Sequence, residues 1–327
     1  MPLPPVLVSR HVPSSVLELL RQHCVVDAHD GPSELPRDEL LRRVADKSGL
    51  VSVLTTRVDR ELLEAAPGLR VVANIAVGYD NVDLPAARAR GVVVTNTPDV
   101  LTDSVADFTM GLILAVTRRI VEGDRLLRRG GWGGWALDFM LGAELRGKRL
   151  GVIGMGRIGS AVAARARGFG MSVVYADPAT ARGAAEAADN GVRVSLDELL
   201  TTSDVVTIHV PLTPATRHLV DRRALARMRR TAYLVNTARG PVVDEEALAW
   251  ALRERLIAGA ALDVYEREPE VHAGLVGLEN VVLAPHLGSA TRETRTAMAE
   301  LAARNVIEVL AGRPAITPIV REARGVR

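Results

Sequence analysis

Aromatic residues are scarce in this chain: three phenylalanines, four tyrosines and three tryptophans among 327 residues. Its cores must therefore be built from aliphatic side chains, and Ala, Val, Leu and Gly dominate. That composition suits layered α/β packing, with Val-rich strands and Ala- and Leu-rich helices. Cysteine is rarer still. The single Cys24 excludes an internal disulfide, and it reads as a small hydrophobe opening a buried strand. A reducing compartment suits it. Long apolar runs are lacking too: Met110 to Val116 is stopped by Thr117, Arg118 and Arg119, well short of a membrane span. The start, Met-Pro-Leu-Pro-Pro, has no charged leader region. A cytoplasmic protein with no membrane partner is expected. Charge of one sign is also missing, since 41 Lys and Arg against 39 Asp and Glu leave +2. No basic block interleaves with aromatics, so nucleic acid is not an expected partner. No metal site is expected.

What the chain does have is length and aliphatic bulk. With 48% of its residues hydrophobic it can bury two cores, and its length suits two domains. The second is marked by the stretch from Arg149 to Gly159, Arg-Leu-Gly-Val-Ile-Gly-Met-Gly-Arg-Ile-Gly. Leu150, Val152 and Ile153 read as a buried strand. Gly154, Gly156 and Gly159 form G-x-G-x-x-G, and Ser160 to Phe169 reads as a helix. Strand, glycine turn and helix in that order are the context a dinucleotide fingerprint requires. Gly154 permits the tight turn, Gly156 lets the backbone approach a pyrophosphate, and Gly159 lets helix and strand pack. The helix N-terminus then favours a diphosphate. A second strand, Ser172 to Tyr175, ends at Asp177, about 20 residues beyond the glycines, where a ribose-binding carboxylate belongs.

The first hundred residues alternate strands with helices. Val6–Ser9, Cys24–Ala28, Gly49–Leu54, Arg70–Asn74 and Val92–Thr95 read as strands. Ser14–His23, Arg37–Ala45, Asp59–Ala65 and Asp83–Arg90 read as helices, with start signals at Ser14-Ser15 and Asp59. Such βαβ units imply a parallel, doubly wound sheet. Turn chemistry at Asn96-Thr-Pro-Asp then leads into one long helix, Thr102 to about Leu127. An irregular Gly130-Gly-Trp-Gly-Gly-Trp135 follows. The second domain has six readable strands, Arg149–Ile153, Ser172–Tyr175, Val205–His209, Ala232–Asn236, Gly259–Val264 and Val281–Ala284. A final helix, Thr291 to Leu310, fits back against the first domain, with a hinge crossed near Pro98–Thr102 and Gly288–Thr291. The expected fold is therefore α/β, with two doubly wound parallel-sheet domains. Residues 1–99 with 290–327 form a flavodoxin-like substrate domain. Residues 100–289 form a Rossmann dinucleotide domain with an arm at about 123–145.

Ligands of open α/β sheets sit beyond the carboxyl ends of the strands. Polar residues there are Asp177, then Pro211 and Thr213 after the third strand, Arg239 after the fourth, Asp263 and Glu268 after the fifth, and His286 after the sixth. A guanidinium can grip a carboxylate with two parallel hydrogen bonds. An imidazole can carry a proton near neutral pH, and a carboxylate can hold the ring and favour its charged form. Each residue has a blander reading as a solvated or structural side chain. Their placement at successive strand ends favours an acid–base site.

The chain resembles the D-isomer-specific 2-hydroxyacid dehydrogenases, and among them the glyoxylate/hydroxypyruvate reductases. The resemblance rests on Val77-Gly-Tyr-Asp-Asn-Val-Asp, Asn96-Thr-Pro-Asp-Val-Leu-Thr-Asp, Gly154-Met-Gly-Arg-Ile-Gly, His209-Val-Pro-Leu-Thr-Pro, Asn236-Thr-Ala-Arg-Gly, Ala261-Leu-Asp-Val-Tyr-Glu-Arg-Glu-Pro and Pro285-His-Leu-Gly-Ser-Ala-Thr. It implies a catalytic Arg239, Glu268 and His286, with substrate also held by the backbone of Val77 and Gly78. It implies cofactor contacts at Thr102, Arg157, Ile158, Asp177, Thr237, Asp263 and Gly288. Val210, Pro211 and Ala238, in the same strand-end motifs, join them, as do the three fingerprint glycines. It implies a homodimer whose arm brings Trp132 or Trp135 to the partner's site, with Trp135 the first choice. Asp177-Pro178 stands where many glyoxylate reductases place residues for the NADP phosphate, so NADH is expected over NADPH. Glu268 argues against formate dehydrogenases, which carry Gln there, and Val77 against phosphite dehydrogenase, which carries Lys. The length leaves no room for the regulatory domain of longer phosphoglycerate dehydrogenases. Two alternatives stay open: a reductase of bulkier 2-oxo acids with a wider apolar pocket around Leu54, Val77 and the tryptophan arm, and a dinucleotide-gated corepressor-like binding protein.

Overall fold

Short β-branched runs separated by helices fold into two parallel sheets. The computed structural model describes residues 2–31, 33–177 and 191–319. The chain divides into two compact units, Met1–Leu101 with Thr291–Arg327, and Thr102–Ala290.

In the first unit, β1 (Pro5–Val8), β2 (Val25–Ala28), β3 (Gly49–Val53), β4 (Val71–Ile75) and β5 (Val93–Thr95) pair in the order β2-β1-β3-β4-β5, all parallel. This is the flavodoxin-like order. Alternation along the strands supplies both faces. Val6, Val8, Val51 and Ala73 pack with Ala299, Ala302, Ala303 and Val306 of the last helix, Arg292–Leu310. Leu7, Leu50 and Val72 pack on the other face with Leu62 and Leu63. Asp59 caps its helix by accepting from the Leu62 amide at 3.1 Å. Ser14 and Ser15 do not act as the expected cap. That helix starts at Ser14 behind Pro13, whose ring presets φ at −54°. The β2 edge is half-exposed, so the buried strand expected to open at Cys24 is buried mainly at Cys24 itself.

In the second unit, β6 (Arg149–Ile153), β7 (Ser172–Ala176), β8 (Val192–Arg193), β9 (Val205–Ile208), β10 (Tyr233–Asn236), β11 (Gly259–Leu262) and β12 (Val281–Leu283) pair in the order β12-β11-β10-β9-β6-β7-β8. The sheet has one strand more than the six expected. β8 is a two-residue exposed edge, too short to show a hydrophobic period. The order reverses direction at the β6–β9 pair, the point where a crevice opens beyond the strand ends.

The single long helix expected over 102–127 is two helices, Thr102–Thr117 and Ile120–Arg128. Arg119 sits at φ +55° between them. The returning chain explains the break. Ala143 donates its amide to the Thr117 carbonyl at 2.9 Å. A Cβ on Gly142 would lie 2.4 Å from that carbonyl oxygen, so only glycine fits there. The first helix packs on β10–β12 and on Arg157–Gly168 through Ala106, Met110, Ile113 and Val116. The second buries no residue fully.

Candidate active site

A wholly parallel sheet delivers all its carboxyl ends to one edge, and the motifs follow those ends. Gly154 leaves β6 at φ +96°, a conformation that disfavours other residues. A Cβ there would meet Val210 Cγ1 at 2.8 Å and the His209 carbonyl oxygen at 2.9 Å. A Cβ on Gly159 would lie 2.1 Å from the Gly154 oxygen, so this glycine allows the helix Arg157–Gly168 to close on the strand. Gly156 has open space where its side chain would be. No side chain caps that helix, so its first amides face a cradle left open by Gly156. An uncapped helix terminus with a clear approach fits a diphosphate. Asp177 closes the turn from β7, its carboxylate accepting from the Met155 amide at 2.8 Å. Arg193 on β8 donates to the Asp177 carbonyl at 2.7 Å. It places a cation beside Asp177, and nothing in its spacing from the glycines marks it.

The three residues expected to be catalytic, Arg239, Glu268 and His286, come from three loops. Asn236, buried at the end of β10, accepts from the Ala238 amide at 3.1 Å and donates to the Arg239 carbonyl at 2.9 Å. It thereby shapes the loop that presents the half-buried Arg239, whose Nη1 donates to the Ala238 carbonyl at 2.8 Å. Gly240 then lies against the Tyr265–Glu266 backbone. A Cβ there would be 1.8 Å from the Tyr265 carbonyl carbon, so this glycine lets the Arg239 and Glu268 loops touch. Glu268 accepts from the Tyr265 amide at 3.1 Å and pairs with His286 Nδ1 at 2.8 Å. Burial pushes the Glu268 carboxyl up. The hydrogen bond and charge of His286, with the charge of Arg239, outweigh it and hold the group below the usual carboxylate range.

His286 itself sits at φ +53°, a left-handed conformation that costs a non-glycine residue about 1–3 kcal/mol. Asp263 supports it. The Asp263 carbonyl accepts from the His286 amide at 2.9 Å, and its carboxylate accepts from Leu287 at 2.6 Å and Gly288 at 2.8 Å. Burial raises the Asp263 carboxyl despite those two donors. Tyr265 packs below, buried, donating to the Ala284 carbonyl at 2.9 Å, and burial pushes its phenol up to about 12. It stays neutral and structural. The other strand-end histidine, His209, is desolvated, which pushes its imidazole down to about 3, and it contacts the Thr207 hydroxyl at 2.9 Å. Desolvation disfavours its charged form.

The remaining predicted residues fall in different places. Thr237 Oγ1 bonds Thr109 Oγ1 at 3.0 Å, and Ser104 donates to the Gly288 carbonyl at 2.9 Å, tying the first helix to two strand ends. Thr102 begins that helix, Arg157 and Ile158 begin the helix after the glycine turn, and the Pro211 carbonyl accepts from Thr216. Val77 and Gly78 follow β4 in the first unit. Trp132 and Trp135 stand 55% and 79% exposed in the segment after Arg128.

The model of the D-isomer specific 2-hydroxyacid dehydrogenase NAD-binding domain matches residues 110–288, more than half of the chain. The chain belongs to the D-isomer specific 2-hydroxyacid dehydrogenase family. A glyoxylate reductase of Thermofilum pendens is 50% identical over 315 residues, covering 95% of this dehydrogenase and 93% of the relative. The TT0316 protein of Thermus thermophilus superposes with a TM-score of 0.89 at 47% identity, covering 97% of this chain and 100% of that one. An NADPH-dependent glyoxylate/hydroxypyruvate reductase from Sinorhizobium meliloti, in complex with NADP and malonate, does so with 0.84 at 36% identity, covering 97% of each. As a family member this dehydrogenase is an oxidoreductase acting between 2-hydroxy and 2-oxo acids. Its glycine cradle belongs to the matched NAD-binding region.

Proposed function

We propose that this dehydrogenase reduces small 2-oxo acids, glyoxylate or hydroxypyruvate, with NADH preferred over NADPH. The observation that carries the reading is the 2.8 Å contact of His286 Nδ1 with Glu268, beside the Arg239 loop at the strand-end edge of the glycine cradle. Glu268 takes one ring nitrogen, which leaves Nε2 as the atom that can hold and give a proton. Arg239 grips the substrate carboxylate and orients the carbonyl next to it. A nicotinamide dinucleotide held by the glycine cradle would supply the hydride for the reduction. His286 Nε2 gives its proton to the oxygen, and Glu268 balances the charge of the ring while it holds that proton. We assign the first unit as the substrate domain, in which the backbone amides of Val77 and Gly78 bind a substrate carboxylate.

The NADH preference rests on Asp177. Its carboxylate stands where an adenosine ribose binds, and a 2′-phosphate would meet like charge there. The Arg193 guanidinium nearby is the feature that works against strict exclusion of NADPH. The exposed Trp132, Trp135, Leu137 and Leu141 support an arm that is covered in a homodimer. In that dimer Trp135 narrows the partner's substrate site. A panel of glyoxylate, hydroxypyruvate and bulkier 2-oxo acids, each run with NADH and NADPH, tests the proposal. Highest kcat/KM for the two small acids with NADH is the expected result. A preference for bulky acids would overturn the substrate, and no turnover at all would overturn the assignment of roles.

A further inference from the structure

The Val77–Gly78 turn is held from behind by residues that the reaction chemistry does not require. A trans peptide group is planar, and its C=O and N–H point in opposite directions. Fixing a carbonyl therefore aims the amide of the next residue. The Ala76 carbonyl accepts from the Thr97 amide at 2.9 Å, which aims the Val77 N–H. The Val77 carbonyl accepts from Asn96 Nδ2 at 2.8 Å, which aims the Gly78 N–H. The amides of Val77 and Gly78 themselves donate to nothing among the described residues. Asn74, buried on β4, holds the next carbonyl, donating from Nδ2 to Gly78 at 3.1 Å.

Asn96 is in turn held by the far end of the chain. Thr317 Oγ1 donates to the Asn96 carbonyl at 2.6 Å, and the Asn96 amide donates to the Thr317 carbonyl at 3.3 Å. Thr317 takes a hydrogen bond from Asn305 Nδ2 at 2.8 Å. Asn305 is fully buried on the last helix, and its Oδ1 accepts from the amides of Ile316 and Thr317 at 2.9 and 3.0 Å. The Ile319 amide then pairs with the Val94 carbonyl at 2.9 Å, which lays this segment along β5.

We propose that residues 316–319 are a positioning device for substrate: Asn305 sets Thr317, Thr317 sets Asn96, and Asn96 with Thr97 aims the Val77 and Gly78 amides at the substrate carboxylate. The inference rests on the reading that these two amides bind substrate. It makes Asn96 and Thr317 positioning residues that act on substrate affinity.

The test compares Thr317→Val, which keeps the shape and removes the hydroxyl, with Thr317→Ser, which restores it. Thr317→Val is expected to raise KM for glyoxylate about tenfold with kcat changed far less, the pattern of weakened substrate binding. Its Kd for NADH stays unchanged, and Thr317→Ser returns KM toward the wild-type value. An unchanged KM, a serine variant as poor as the valine one, or a loss confined to kcat would overturn the inference. Should Thr317→Val not fold, Asn96→Ala decides the matter, because the Thr317 contacts go to the Asn96 backbone and survive that change. A folded Asn96→Ala with unaltered KM overturns the proposal, and a raised KM supports it. A wild type that reduces no 2-oxo acid with either dinucleotide would fell the functional reading and this inference together. An active wild type with indifferent variants fells this inference alone.

Discussion

The loop that carries His286 and the segment that carries Trp135 are both irregular, yet they differ in where their bonds go. Around His286 the chain supplies its own partners. Asp263 takes the amides of His286, Leu287 and Gly288, Glu268 takes the imidazole, and Tyr265 locks the strand end beneath. The left-handed backbone at His286 is held by those bonds. The Trp135 segment leaves a helix that buries no residue fully, and Leu137 beyond it is 82% exposed. Apolar side chains left in water are characteristic of a surface meant to be covered. The difference is that the His286 loop finds its hydrogen-bond partners within one chain, whereas the arm leaves apolar side chains exposed; in our proposal the first is the proton-handling corner and the second is covered by a second copy.

The largest effect should come from removing the histidine at the self-contained corner. His286→Ala is expected to lower kcat for glyoxylate reduction by about 10²-fold or more, with NADH binding retained in a fluorescence titration. A wild-type rate would dismiss the acid assignment and, with it, the contrast. Next is Arg239→Lys, which keeps the charge and loses the planar grip. Both KM and kcat should worsen, with kcat/KM down about tenfold or more, the scale of one lost charge-assisted hydrogen bond. A glyoxylate analogue with an amide in place of the carboxylate should already be poor with the wild type. If it is reduced as well as the acid, the clamp lies elsewhere.

Cofactor choice sharpens the comparison within the dinucleotide unit. Asp177→Ser removes the charge that opposes a 2′-phosphate and leaves Arg193 in place. The ratio of kcat/KM for NADH over NADPH should fall toward one, or below it. Equal values for both cofactors in the wild type would remove the reason for the prediction. A smaller effect is expected at the arm. Trp135→Ala should leave NADH binding alone, weaken hydroxypyruvate and glyoxylate, and relatively favour bulkier 2-oxo acids. A fully active monomer in sedimentation, or an unchanged substrate ranking, would break the proposed role.

The smallest effect is on stability, and it too separates the two regions. The Glu268 carboxyl is held below its unfolded value of about 4.5. A depressed folded pKa stabilises the protein above the unfolded value, and the contribution fades as pH falls through the folded one. The urea midpoint of the wild type should therefore exceed that of Glu268→Gln near neutrality, and the gap should close below about pH 4.5. Trp135→Ala should show no such pH dependence at protein concentrations that keep its oligomeric state fixed. A gap that persists unchanged well into acid would mean that the His286 pair does not hold the carboxylate down.

Much of this was legible in residue order. The glycine turn follows from its motif, and Asp177 and the positions of Arg239, Glu268 and His286 beyond strand ends follow from short continuous apolar runs, because a parallel sheet sends every carboxyl end to one edge. The helix over 102–127 misled because its apolar residues run through the break. The cause lies about 25 positions downstream, in the Ala143 amide and the absent side chain of Gly142. The β8 edge and its Arg193 were invisible because two residues carry no period.

The sequence alone determined the two sheets, their parallel direction, the dinucleotide turn and the residue types available for acid–base chemistry. These depend on hydrophobic spacing and on glycine conformations, and both are properties of short stretches of chain. Tertiary structure alone decided that Gly240 lets the Arg239 and Glu268 loops touch, that Asp263 steadies a left-handed His286, and that Thr317 reaches back to Asn96. Those contacts join residues tens to hundreds of positions apart. Hydrogen bonds between them depend on distances of a few tenths of an ångström, which become defined only once the packed sheets hold both ends in place.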